Sequence, residues 1–147
     1  MSRPPDAPTF FIDRDLGIRF AEHLSADSRF QVETHDTHFP DRAADDAEWL
    51  ELIAKSGWIG VTHDKKIRRD HRGIIAAFGA RVIIVVGNRP LAEQAANFVA
   101  TFPRIQRFVR GREGPYTAKL YCPAPEEMKK LAPKGRIELW GAWRYTR

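Results

Sequence analysis

Three aspartates occupy positions from which a side chain can do chemistry. Asp13 closes the apolar run at residues 9–12, and Asp64 follows the apolar run at residues 58–61. Asp46 falls in the first turn of an amphipathic segment. A carboxylate at the end of a buried parallel strand faces the crevice where open α/β sheets bind ligands. Asp13 and Asp64 are therefore expected on one sheet edge, and Asp46 joins them if its helix starts near that edge. Three carboxylates held together repel one another and raise one another's pKa. Hard oxygen donors of this kind suit Mg²⁺ or Mn²⁺, which keep several waters and bind phosphate. Such a site can orient a water and stabilise charge on a phosphodiester in transfer.

Each acid also has an ordinary reading. Asp46 complements a helix dipole, Asp13 terminates a strand, and Asp64 caps the helix that follows it. Asp15 is a further acid for the site or an exposed loop residue. Glu48 and Asp45 are further ligands or solvated helix carboxylates. Thr62 either hydrogen-bonds beside the acids or is a plain strand residue, and His63 either touches substrate or is half-buried. His35 and His38 lie in a polar stretch with no cysteine partner, which does not make a zinc motif.

Basic residues crowd the acids. Lys65 and Lys66 follow Asp64 directly, Arg68 comes next, and Arg104, Arg107, Arg110 and Arg112 form a later row. The functional reading is phosphate contact, and the ordinary one is a solvated helix face. The formal charge is +5 and the pI about 9.7. That excess favours a polyanionic partner over a neutral one.

The elements that must position these side chains alternate. Strands are expected at 9–12, 30–34, 58–61 and 81–86. Helices are expected at 18–24, at 45–54 with Asp45 as N-cap, at 65–78 with Gly79 as C-cap, and at 91–102 with Leu91, Ala95, Phe98 and Val99 inward. Pro103 interrupts that last helix, which continues through 104–112. Residues 35–44 read as a loop around Pro40. Alternation of this kind argues for a three-layer α/β/α sandwich with a mainly parallel central sheet. Residues 116–121 and 136–140 read as C-terminal edge strands with a short helix at 126–131 between them.

The 147 residues suggest one domain at 9–147 behind a disordered lead-in at 1–8. No apolar run approaches the roughly 20 residues of a membrane span, and the N-terminus lacks the apolar core of a secretory signal. The single cysteine, Cys122, excludes an internal disulfide framework and fits a reducing, cytoplasmic setting.

Three stretches carry a family resemblance. Phe11-Ile12-Asp13-Arg14-Asp15-Leu16, Asp46-Ala47-Glu48-Trp49-Leu50 and Gly57-Trp58-Ile59-Gly60-Val61-Thr62-His63-Asp64-Lys65-Lys66 occur in that order. Together they resemble the PIN-like nuclease superfamily, in particular short bacterial members akin to the VapC toxins of toxin–antitoxin systems. The resemblance covers residues 9 to about 86 and touches the tail only loosely. It implies an α/β/α sandwich, a Mg²⁺- or Mn²⁺-dependent ribonuclease site, an RNA substrate and a cognate antitoxin. A homodimer is compatible with it. It assigns catalytic and metal-holding roles to Asp13, Asp46 and Asp64. Many PIN nucleases show a fourth acid, for which Asp15, Glu48 and Asp70 are the candidates here. Substrate binding falls to Lys65, Lys66, Arg68 and Arg107.

Two rivals belong to other classes. Asp13-Arg14-Asp15 also looks like the first motif of haloacid-dehalogenase-like phosphatases. The acidic pair Asp45-Asp46 comes too early for that family, and the run 82–86 leads into Gly87 with no acid. The other rival is a nucleic-acid- or partner-binding module that keeps the fold without the catalysis.

Overall fold

A computed structural model describes residues 7–41 and 44–142. The positions expected as a lead-in lie outside the described residues except Ala7 and Pro8, which precede the first strand. Five parallel strands form the centre: β1 (Thr9–Ile12), β2 (Gln31–Thr34), β3 (Ile59–Thr62), β4 (Arg81–Val85) and β5 (Tyr116–Tyr121). A sixth, β6 (Arg136–Ala142), runs antiparallel to β5 at the edge, giving the order β2-β1-β3-β4-β5-β6. The expected α/β sandwich with C-terminal edge strands is the observed one.

Alternation along β1 builds the two outer layers, because successive strand residues point to opposite faces. Phe10 and Ile12 enter a cluster with Phe20 and Leu24 of α1 (Gly17–Ser25), Phe98 of α6 (Leu91–Ala100), and Ile105 and Val109 of α7 (Phe102–Arg110). Phe11 faces the other way. It packs with Trp49, Leu50 and Ile53 of α3 (Asp46–Ser56), with Ile67 of α4 (Ile67–Asp70) and with Ile75 of α5 (Arg72–Phe78). The rings of Phe11 and Trp49 stack 5.7 Å apart.

The start of α3 is sharply defined. The Asp45 side chain accepts from the Glu48 N–H at 2.9 Å, and the Glu48 side chain accepts from the Asp45 N–H at 3.3 Å. This reciprocal pairing satisfies two otherwise orphaned donors. The helix ends on Gly57 at φ 73°, a left-handed conformation that glycine adopts without a Cβ penalty.

Five expectations are corrected. Residues 35–44 do not form a simple loop, because α2 (His35–His38) opens them with the Thr34 hydroxyl accepting from the Thr37 N–H. The helix expected at 65–78 is two helices broken at His71, whose side chain is drawn to Asp46. Leu91 is 40% exposed. Gln94 and Asn97 are buried on α6 instead, donating to the carbonyls of Gly87, Arg89 and Tyr121. The helix expected to break at Pro103 breaks instead at Thr101, between α6 and α7, and Pro103 lies in the first turn of α7, where a missing N–H breaks no internal bond. The short helix expected at 126–131 is a single 3₁₀ turn, Glu127–Lys129.

One close approach fixes α3 against the sheet. A Cβ built on Gly60 would lie 2.8 Å from Ile53 Cδ1 and 2.9 Å from Trp49 Cζ3. Only a residue without a side chain lets α3 sit this near β3. Gly60→Ala is therefore expected to destabilise the fold by about 1–3 kcal/mol through overpacking. Urea unfolding should show a lower midpoint at unchanged m-value. A midpoint equal to wild type would mean that α3 has room to spare.

Candidate acidic site

Parallel pairing brings the ends of β1 and β3 level. Ile12 is opposite Val61, and one residue on the Asp13 N–H donates to the Val61 carbonyl at 2.9 Å. Asp13 therefore projects beside Thr62. Helix α3 packs on the same strands with its first turn at this edge. Asp13, Arg14, Asp15, His35, Ala44, Asp46 and Asp64 line one cavity of about 570 Å³. The structure thus gathers the three expected acids and adds Asp15 as a fourth.

Each acid is held by its own partners. The Thr62 hydroxyl contacts Asp13 Oδ2 at 2.8 Å and Asp15 Oδ2 at 3.1 Å. Its oxygen accepts from the Asp64 N–H at 3.1 Å. Asp15 also accepts from the His63 N–H, at 3.1 Å through Oδ2. Asp13 Oδ1 accepts from the Arg14 N–H at 2.7 Å. Asp64 Oδ1 accepts from the Lys66 N–H at 2.9 Å, a local turn that aims the carboxylate. Asp46 receives Trp49 Nε1–H at 2.9 Å and lies 2.9 Å from His71 Nε2.

A hydroxyl carries one proton, and two carboxylates reach for it. The Asp13 pKa is raised to about 7, chiefly by burial and next by the Asp15 charge, against the lowering effect of the Thr62 and Arg14 hydrogen bonds. Asp15 is also raised, again chiefly by burial, while Thr62 and His63 hold it down. The donor set is mostly carboxylate oxygen and crowded with negative charge, which fits a hard divalent cation and not a soft one. Among the described residues, no three His, Cys, Asp or Glu side chains already converge as a ligand set.

The other expected residues fall elsewhere. Glu48 belongs to the N-cap of α3 and does not line the cavity. Lys65 and Lys66 are exposed in the turn directly after Asp64. Arg68, on α4, lies over Trp140 of β6, 5.0 Å from its ring centroid. Arg107 is on α7 in the opposite layer, in a shallow hollow with Arg104, Phe108, Arg136 and Ile137. Asp70 is paired with Arg69. An apolar cavity of about 510 Å³ beside α6, lined by Ala96, Ala100, Met128 and Pro133, contains none of the acids.

Three participants were not singled out from the sequence: His71, Trp49 as a hydrogen-bond donor, and Arg14. His71 had one signal, a histidine inside a helix-forming run that the helix does not pass through. His35 is buried rather than in a solvated loop, with Nε2 accepting from the Ala44 N–H at 3.0 Å.

Comparison with known proteins points the same way as the geometry. A family model described as a PIN like domain matches residues 8–88, the stretch that holds all four acids. The chain is 34% identical over 111 residues to a Mycobacterium tuberculosis (strain ATCC 25618 / H37Rv) protein named "Putative ribonuclease VapC45", covering 71% of this chain and 80% of that one. No solved structure matches significantly.

The raised Asp13 pKa has a thermodynamic sign. Its folded value of about 7 exceeds the ordinary 3.8, so between these pH values the folded chain binds the proton more strongly than the unfolded chain. This contribution to stability is full below about pH 4 and is lost as pH rises toward about 7. Asp13→Asn should remove that loss, so its melting temperature should exceed that of the metal-free wild type at pH 7.5. Calorimetric melts from pH 4 to 8 in EDTA test this, and parallel curves for the two proteins would refute it.

Proposed function

The chain belongs to the PIN-like domain family, and on that premise we propose that it is a metal-dependent endoribonuclease, the toxin of a toxin–antitoxin pair. The observation that carries the reading is the gathering of Asp13, Asp15, Asp46 and Asp64 in one cavity at the ends of β1 and β3. The name of the relative, a VapC ribonuclease, supports RNA as the substrate. The same reading implies a cognate antitoxin and a cytoplasmic setting.

Asp13, Asp46 and Asp64 are the residues that would hold Mg²⁺ or Mn²⁺, with Asp15 as the fourth acid. When bound, such an ion supplies Lewis-acid polarisation of a phosphoryl oxygen and acidifies a water. The chain's own residues do the rest. Thr62 spaces Asp13 and Asp15 through one oxygen. The His63 and Lys66 N–H groups fix the rotamers of Asp15 and Asp64. Trp49 and His71 hold both oxygens of Asp46. Among the described residues, Arg14 is the one arginine or lysine lining the cavity, placed to meet a phosphate. Lys65 and Lys66 offer phosphate contacts just outside it. Arg107, in the other layer, can reach only an RNA long enough to pass around the molecule.

A non-catalytic binding module is the second reading. It is favoured by one observation, that no three ligand side chains already converge among the described residues. Incubation of purified protein with structured RNAs, with Mg²⁺ or Mn²⁺ and with EDTA, separates the two. Metal-dependent cleavage is expected, together with its loss in Asp64→Asn. Thr62→Val should slow cleavage by roughly 10–100-fold, the usual effect of removing a partner behind a ligand. RNA left intact by wild type under all metal conditions would hand the case to the binding module.

Mn²⁺ should also raise the wild-type melting temperature, by mass action on the folded state, and should not raise that of Asp64→Asn. An equal rise in both would show that the ion binds elsewhere.

A further inference from the structure

The α3–α5 side of the sheet carries a second chemical surface beyond the acids. In the β5–β6 pair, Tyr121 is opposite Arg136 and Lys119 is opposite Glu138. Cross-strand partners share a face, and alternation places Trp140 on that face as well. Among the described residues the helix that packs substantially on β6 is α7, which covers the other face through Ile137. Tyr121 and Trp140 are left half-buried at the margin of the α3–α5 core.

Cations gather on these rings. Lys119 Nζ lies 3.7 Å from the Trp140 ring centroid, Arg68 Cζ lies 5.0 Å from it, and Arg136 Cζ lies 4.5 Å from that of Tyr121. Arg136 is neutralised by Glu138 at 2.9 Å. Lys119 and Arg68 have no ion pair among the described residues, and Arg68 Nε is buried without a hydrogen-bond partner. Arg68 is four residues beyond Asp64, and the exposed Lys65 and Lys66 fill the interval. Basic side chains thus follow the acid cavity through the turn and the start of α4, with the buried Ile67 between Lys66 and Arg68, and Arg68 reaches Trp140.

We propose that this face of β5–β6 is a platform for single-stranded RNA, with bases displacing the cations from the rings of Trp140 and Tyr121 and stacking there, while the displaced Lys119 and Arg68, together with Lys65–Lys66, hold the flanking phosphates. Aromatic rings beside uncompensated cations are the chemistry that holds single strands without reading their sequence. Paired bases are already stacked and cannot use the rings, so duplex RNA is disfavoured. The identity of the polyanion as RNA rests on the ribonuclease reading. The platform would hold the strand to one side of the scissile phosphate and thereby favour cleavage in unpaired regions.

The test uses the full chain carrying Asp64→Asn, so that RNA stays whole, and a labelled single-stranded oligonucleotide of about ten nucleotides, within the usual site size. Fluorescence anisotropy is read over a series of salt concentrations. Trp140→Ala should weaken binding about tenfold with an unchanged salt slope, as expected for a lost stack. Lys119→Met should weaken binding and reduce the slope by about 0.7 unit, one phosphate contact on a single strand. Trp140→Phe should keep most of the affinity, which separates a lost ring from a damaged fold. If Trp140→Ala and Lys119→Met, folded by circular dichroism, both bind within about twofold of the parent, the platform is overturned and the face is left to a protein partner. The outcome is independent of cleavage. A wild type that cuts no RNA but shows these losses keeps the platform and loses the nuclease, whereas cleavage with unaltered binding does the reverse.

Discussion

One hydroxyl at the end of β3 is shared by two carboxylates, and much of the site depends on it. Thr62 has a single proton to give, and Asp13 and Asp15 both reach its oxygen. Neither carboxylate can leave, because the β1–β3 ladder fixes Asp13 and the His63 N–H fixes Asp15. Burial adds to the charge crowding and lifts both pKa values. The fold therefore stores unfavourable electrostatics where a cation would relieve them. Strain of this kind persists only when the surrounding structure over-determines it.

The surrounding structure does so by ordinary means. Both faces of β1 are buried, and its ladders to β2 on one side and β3 on the other hold it against a one-residue slip in register. Any such slip would carry Asp13 away from Thr62. Gly60 lets α3 approach β3 closely, and the reciprocal Asp45–Glu48 cap sets where that helix begins. Asp46 is thereby brought to the same edge as the strand-end acids. The break at His71 then turns a helix-forming segment into a support for Asp46. Local preference for a continuous helix gives way to one polar contact at the site.

Much of this was legible in the chain because it follows from short-range pattern. Apolar runs ending in acid located Asp13 and Asp64, and the Asp45 cap located the start of α3. What was not legible depends on partners distant in sequence. Asp15 was one of three candidates for the fourth acid, and only the register of β1 on β3 lifts it to Thr62. Residues 65–78 read as one helix, because nothing local announces that His71 is needed 25 positions back in sequence, at Asp46. Leu91 looked inward by hydrophobicity. Gln94 and Asn97 took its place because the loop carbonyls of Gly87 and Arg89 and that of Tyr121, at the end of β5, needed donors. The arginine row at 104–112 was legible as a helix face, but its layer was not. The sheet order puts α7 opposite α3, away from the acids.

Charge is partitioned within the molecule in a way that bears on how a polyanion could be handled. The chain is basic overall, yet among the described residues its cavity is lined by four acids and one arginine, Arg14. A phosphodiester entering that cavity meets repulsion until the carboxylate charge is compensated. The rim meets no such barrier, since Lys65, Lys66, Arg68 and Lys119 lie outside it, in the turn after Asp64, on α4 and on β5. Attraction at the rim is long-ranged and raises local substrate concentration, while the cavity repels at short range. Capture and chemistry are thus separable by position, and only the second depends on neutralising the acids. A chain with the same net charge but cations mixed among the acids would lose that separation. Lysines inside the cavity would neutralise the carboxylates and remove the crowding of negative charge that a divalent ion would relieve.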